Sequence, residues 1–141
     1  MEERILVGLY DGLRQGGRSY EVFMSEATYI GTYYTEPEYS LYSLTKEYPG
    51  LKSGGSTSIL LEIFEVNKET LKNIDYYEGY SEIDPYLNIY NREEIETPFG
   101  LCFIYEYNRI IVNKPMIDSG DWFKFKRDVK KNIKEINNKI Y

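Results

Sequence analysis

Ser58-Ile59-Leu60-Leu61-Glu62-Ile63-Phe64-Glu65-Val66 runs through Asn67 into Lys68-Glu69-Thr70-Leu71-Lys72-Asn73-Ile74-Asp75-Tyr76-Tyr77-Glu78-Gly79-Tyr80. The first nine residues are apolar and β-branched, with charge confined to Glu62 and Glu65, and read as a strand. Asn67 can cap a helix by accepting from backbone N–H groups, and Glu69 sits favourably in its first turn. Leu71 and Ile74 lie on one face of that helix, and Gly79 closes it. Glu78 thus stands at a helix end among tyrosines, where burial can raise a carboxyl pKa toward neutrality and suit it to proton transfer. The chain has no histidine, so acid–base work near neutral pH falls to a carboxylate, a lysine, a tyrosine or the single cysteine, Cys102. The bland alternative is an acidic residue on a solvated helix end.

Working outward, Ile5 to Tyr10 reads as a buried first strand ended by Asp11-Gly12, and Gly16-Gly17 keeps the next connection flexible. Glu21 to Ala27 reads as a short helix, Tyr29 to Tyr34 and Tyr39 to Leu44 as strands. Pro49-Gly50 and Gly54-Gly55 mark residues 46–58 as an irregular loop. Leu87 to Glu96 and Leu101 to Tyr107 form a hairpin through Thr97-Pro98-Phe99-Gly100. In the second of these strands Leu101, Phe103, Tyr105 and Tyr107 point one way, Cys102, Ile104 and Glu106 the other. Phe125, Val129, Ile133, Ile136 and Ile140 make an apolar stripe that predicts a C-terminal helix packed on the rest. These elements predict an α+β fold on a small curved sheet or barrel, a single domain over residues 1–141 with 123–141 as a C-terminal amphipathic helix.

At 141 residues the chain suits one core without disulfides or metals. One cysteine and no histidine leave no cysteine framework and no Cys- or His-based zinc site, so a transition-metal enzyme is not expected, while an all-carboxylate magnesium site stays open. No apolar run reaches the length of a membrane span and no signal-peptide pattern is present, which points to a cytoplasmic protein without a membrane partner. Residues 123–141 hold seven Lys/Arg and two Asp/Glu, a net charge of +5. The whole chain carries −6, so the remainder carries −11 and argues against nucleic-acid binding. The basic helix reads as a solvated face, or else as an interaction module.

Four segments in order carry a resemblance: Tyr10-Asp11-Gly12-Leu13-Arg14; the strand and helix ending in Ile74-Asp75-Tyr76-Tyr77-Glu78-Gly79-Tyr80; Tyr105 in its strand; and Ile117-Asp118-Ser119-Gly120-Asp121-Trp122. Together they resemble the γ-glutamylcyclotransferase-like family, which includes γ-glutamylamine cyclotransferases and AIG2-like proteins, over about residues 4–122. That family runs a first strand into Tyr-Gly-Ser/Thr-Leu-Arg, then a strand and helix into Leu-Asp-x-x-Glu-Gly, and often carries Ser-Gly-Asp-Trp near its end. The resemblance implies a six-stranded, barrel-like mixed sheet with flanking helices and a cavity at one end. It also implies a small-molecule γ-glutamyl substrate, cyclised to 5-oxoproline with release of an amine or amino acid. Glu78 is then the general acid/base, Tyr10, Asp11, Gly12, Leu13, Arg14 and Tyr105 bind substrate, the first-strand loop cradling it with backbone N–H groups, and no metal or cofactor is required.

The first-strand loop departs from the pattern. Asp11 stands where the family has glycine, and Gly12 where it has a small hydroxyl residue. A carboxylate at Asp11 repels a substrate carboxylate unless it points outward or pairs with Arg14. The departure leaves room for a non-catalytic small-molecule-binding or regulatory protein on the same fold.

Overall fold

The computed structural model describes residues 4–140, with the side chain of Ile140 outside the description. Strand β1 (Ile5–Leu9) leads to a single helical turn, α1 (Tyr20–Phe23), and then β2 (Thr28–Tyr34), β3 (Tyr39–Ser43) and β4 (Pro49–Ser53). After these come β5 (Leu60–Val66), α2 (Lys68–Glu78), β6 (Tyr90–Thr97), β7 (Gly100–Tyr107) and α3 (Trp122–Ile140). Five strands form one sheet in the order β2-β5-β1-β7-β6, and β3 pairs with β4 as a separate ribbon. β1 lies antiparallel to β5 and parallel to β7.

The predicted six-stranded barrel is corrected on two counts. Seven strands form rather than six, and no ladder among the described residues closes the five-stranded sheet. The additional strand is β4, inside the segment that Pro49-Gly50 and Gly54-Gly55 marked as loop. Those residues permit close packing here. A Cβ on Gly50 would lie 2.8 Å from the Leu44 side chain, and Gly54 turns the chain at φ +91°.

Both faces of the central strands are buried, which is why β1 and β5 read as nearly continuous apolar runs. Leu6, Leu61, Ile63, Cys102 and Ile104 share one core with Leu41 and Leu51 of the ribbon and with Trp122. Val7, Leu9, Phe64, Val66 and Tyr105 face the other core, with Leu13, Met24 and Ile74. The alternation of Cys102 and Ile104 against Phe103, Tyr105 and Tyr107 follows the strand period.

Asp121 caps α3, its Oδ1 accepting from the amides of Phe123 (3.1 Å) and Lys124 (3.2 Å). Trp122 is buried, and Phe123 and Phe125 pack on the core. Beyond them the expected docking is corrected: Val129, Ile133 and Ile136 remain 39%, 54% and 56% exposed. The stripe makes a helix amphipathic whether or not anything covers it.

Gly120 fixes how α3 is launched. Its φ is +71°, and a Cβ there would lie 1.9 Å from the Ser58 carbonyl oxygen. The Leu60 amide donates to the Gly120 carbonyl at 2.9 Å, so the approach is stitched as well as close. Gly120→Ala combines positive-φ strain with a backbone clash and is expected to cost about 2–5 kcal/mol. Thermal melts check this; an unchanged Tm would refute it.

Candidate active site

β1 ends at Leu9, and from Tyr10 onward the chain folds tightly on itself. The Arg14 amide donates to the Asp11 carbonyl (3.1 Å), that of Gly17 to Arg14 (2.8 Å) and that of Ser19 to Gly12 (3.0 Å). Gly17 is required there, because a Cβ would come within 2.3 Å of the Gly12 carbonyl oxygen. The Asp11 side chain joins the turn, its Oδ1 accepting from the Leu13 amide at 3.0 Å. One amide of the expected substrate cradle therefore closes on the loop's own carboxylate.

α2 brings Glu78 to this loop. Asn67 caps the helix by accepting from Thr70 at 2.7 Å, and Gly79, at φ +69°, terminates it. Glu78 is the last helical residue and is 4% exposed; Asp11, on the neighbouring loop, is 5% exposed. Burial pushes the Glu78 carboxyl well above the usual carboxylate range, and the neighbouring Asp11 and Asp75 carboxyls reinforce that direction. Its place at the negative end of a helix dipole acts in the same sense.

Four tyrosines pack near the carboxyl pair. Tyr10 donates to the Tyr105 carbonyl at 2.6 Å, while Tyr90 donates to the Pro49 carbonyl at 2.6 Å. The Tyr90 hydroxyl ties the β3–β4 ribbon to the end of the sheet. The Tyr105 hydroxyl donates to Asp75 Oδ1 at 2.6 Å, and Arg92 Nη1 meets Asp75 Oδ2 at 2.5 Å. Arg92 in turn stacks 4.4 Å from the Phe103 ring and 4.9 Å from that of Tyr80. Tyr77 accepts from Ser19 Oγ at 3.3 Å, and burial pushes its phenol up to about 12. Burial raises Tyr10, Tyr90 and Tyr105 as well, so all four are neutral hydroxyls at neutral pH. Burial also holds the Cys102 thiol up at about 12, which removes it as a thiolate nucleophile.

Of the residues singled out in the sequence, Asp11 and Glu78 come together, with Tyr10 and Tyr105 close by. Arg14 is placed differently. Its Nε lies 3.0 Å from Glu62 Oε2 and its Nη1 2.9 Å from Asp121 Oδ1, and its guanidinium covers the Phe123 ring at 4.1 Å. It staples the loop to β5 and to the cap of α3. The sequence reading gave no role to Asp75, Arg92, Tyr77 or Tyr90. Asp75 was within reach of it, lying in the same motif as Glu78; nothing local marks Arg92. A polar hollow of about 220 Å³ lined by Lys52, Asn91, Glu93, Glu106, Tyr107 and Asn108 lies apart from these carboxyls.

Comparison with known proteins identifies the family. The profile of the family described as gamma-glutamyl cyclotransferase, AIG2-like, matches residues 7–124, so most of α3 lies beyond it. A provisionally named gamma-glutamylcyclotransferase of Vibrio cholerae is 38% identical over 117 residues, covering 83% of this chain and 94% of that one. The gamma-glutamylcyclotransferase family protein YtfP of Escherichia coli is 31% identical over 115 residues, 81% of this chain and 92% of that one. Among solved structures, an uncharacterised protein of Pyrococcus horikoshii superposes with a TM-score of 0.71 at 27% identity, over 90% of this chain and 97% of the other. The chain therefore belongs to the gamma-glutamyl cyclotransferase, AIG2-like family.

Proposed function

We propose that the protein is a γ-glutamyl cyclotransferase-type enzyme that releases 5-oxoproline from a γ-glutamyl amine or peptide, with Glu78 as general acid/base. The observation that carries this reading is Glu78 itself, a buried carboxyl of raised proton affinity held against the first-strand loop. The substrate's α-ammonium gives a proton to the carboxylate, and the freed amine attacks its own γ-carbonyl carbon. The tetrahedral intermediate collapses as the carboxyl group returns a proton to the departing nitrogen. Nucleophile and electrophile belong to one molecule, which supplies much of the proximity. Asp11, Gly12 and Leu13 contact the substrate, whereas Tyr10, Arg14 and Tyr105 act by positioning the loop and the end of α2.

Incubating the protein with γ-glutamyl amino acids and γ-glutamyl-ε-lysine while measuring 5-oxoproline tests the reading. Turnover of at least one is expected; no 5-oxoproline from any of them would sink it. The Leu13 amide, occupied by Asp11, favours a second reading as a non-catalytic binder on the same fold. A γ-glutamyl compound bound and recovered unaltered would select that alternative.

A further inference from the structure

We propose that the distal part of α3 is a docking arm for a second copy of this chain. Its apolar stripe seats on the apolar, acidic loop of residues 82–89 in the other copy, and the arm of that copy returns the contact. Self-association of this kind is independent of the cyclotransferase reading.

Every residue from Arg127 to Lys139 is exposed, so this part of α3 stands clear of the rest of the chain on all sides. At 1.5 Å per residue it reaches roughly 20 Å beyond the turn that docks through Trp122 and Phe125. A helical segment this short is marginal in water by itself and takes most of its stability from what its apolar face packs on. Val129, Ile133 and Ile136 make such a face, yet stay exposed. Most of α3 lies beyond the span matched by the family, so the shared fold does not need the stripe.

The same molecule carries a second exposed apolar surface. Ile83, Tyr86 and Leu87 are 93%, 88% and 74% exposed. Ile110, also exposed, follows Arg109, whose guanidinium donates to the Tyr86 and Leu87 carbonyls at 3.2 Å. Clustered apolar exposure of this kind marks contact surfaces.

Charge selects the pairing. From Tyr80 to Asn91 the sequence holds Glu82 and Asp84 and no lysine or arginine. The two cations beside the loop are engaged: Arg109 by those carbonyls, and Arg92 by Asp75, with Glu82 at 3.5 Å. On α3 the helical period sets Lys130 and Lys139 on opposite flanks of the stripe. With +5 on residues 123–141 and −11 on the remainder, two arms repel each other and each is drawn to the body of the other copy. An anionic bilayer would repel that same body, which disfavours it as the occupant.

Both surfaces belong to one end of the sheet. The Leu60 amide, at the start of β5, holds the root of α3 at Gly120, and the Asn108 amide, just past β7, holds the loop at Ile89. β5 runs antiparallel to β1 and β7 parallel to it, so the start of β5 and the end of β7 meet at the end of β1. Exchange of arms about a two-fold axis there closes the assembly at two copies.

The test is the association state of the full chain by analytical ultracentrifugation over about 1–300 µM. Wild type is compared with Leu87→Asp and with a double variant, Ile133→Asp plus Ile136→Asp, after circular dichroism confirms that each folds. Wild type should dimerise, and each variant should raise the dissociation constant about tenfold or more. A wild type that stays monomeric throughout overturns the proposal. A dimer untouched by Leu87→Asp overturns docking on the loop, and one untouched by the α3 changes overturns the arm. Cross-linking fixes the pairing, since the native Cys102 is buried. An oxidised mixture of Ile136→Cys and Leu87→Cys should give the mixed disulfide dimer, whereas Ile136→Cys bonding chiefly to itself would mean that arm meets arm. Cosedimentation of a monomeric wild type with phosphatidylserine vesicles at about 0.15 M salt would assign the stripe to a membrane and overturn the second copy.

Discussion

Glu78→Gln is expected to lower 5-oxoproline formation by about 10²–10⁴-fold, the usual worth of a positioned acid–base group, and to make the folded protein more stable. Glutamine has the same shape and cannot accept the α-ammonium proton, so the loss falls on kcat. Stability moves the other way because of where the carboxyl sits. Burial first, then Asp11 and Asp75, raises its folded pKa above that of the unfolded chain. A raised pKa contributes stability that is fully present below the unfolded value, about 4.3, and is lost as pH rises through the folded value. Neutral and alkaline conditions therefore carry a penalty in the wild type that the amide removes. A gain of about 1–2 kcal/mol, roughly 3–8 °C in Tm, should open between acid and neutral pH. Turnover unchanged by the substitution would refute the base assignment, and a Tm difference flat from pH 4 to 9 would refute the raised proton affinity.

How much of this was legible in the sequence follows from whether each feature is local. The strand over β5, the Asn67 cap, the turn of helix to Glu78 and the Gly79 stop are all set within a few residues, and each forms as read. β4 was not legible, because Pro49-Gly50 looks like a break until Leu41 and Leu51 pair across the ribbon. The strands were compatible with a curved sheet or a barrel and the resemblance favoured the barrel, but the sheet edges remain open. The α3 stripe identified a helix, but amphipathicity carries no information about whether a surface lies opposite it. In the site, Glu78 stood out through its motif. Its place near the first-strand loop depends on how α2 returns across the sheet, which no spacing encodes. Arg14 is the extreme case, with partners 48 and 107 positions away.

That long reach makes Arg14→Met the largest expected stability loss, about 3–5 kcal/mol, because removing one member of a buried charge network strands the others. Glu62 would keep only the Gln15 amide, at 2.8 Å, and Asp121 only its capping contacts to α3. A drop of more than about 8 °C in Tm should follow. Arg14→Lys keeps the charge but not the fork that reaches both carboxylates, and should fall between. The loss should also depend on pH. Burial works to raise Asp121, yet hydrogen bonds from Arg14 and from the Lys124 and Phe123 amides hold it below the usual range. A depressed pKa gives stability that is present above the unfolded value and lost as pH falls through the folded one. The gap between wild type and Arg14→Met should accordingly narrow below about pH 4. Kinetics then separate the two roles open to this residue. A positioning Arg14 leaves KM of the folded Arg14→Lys variant near wild type, whereas a residue that clamps the substrate raises KM at every temperature where the variant is folded. The guanidinium is already engaged by Glu62, Asp121 and the face of Phe123, so the near-wild-type KM is the expected result.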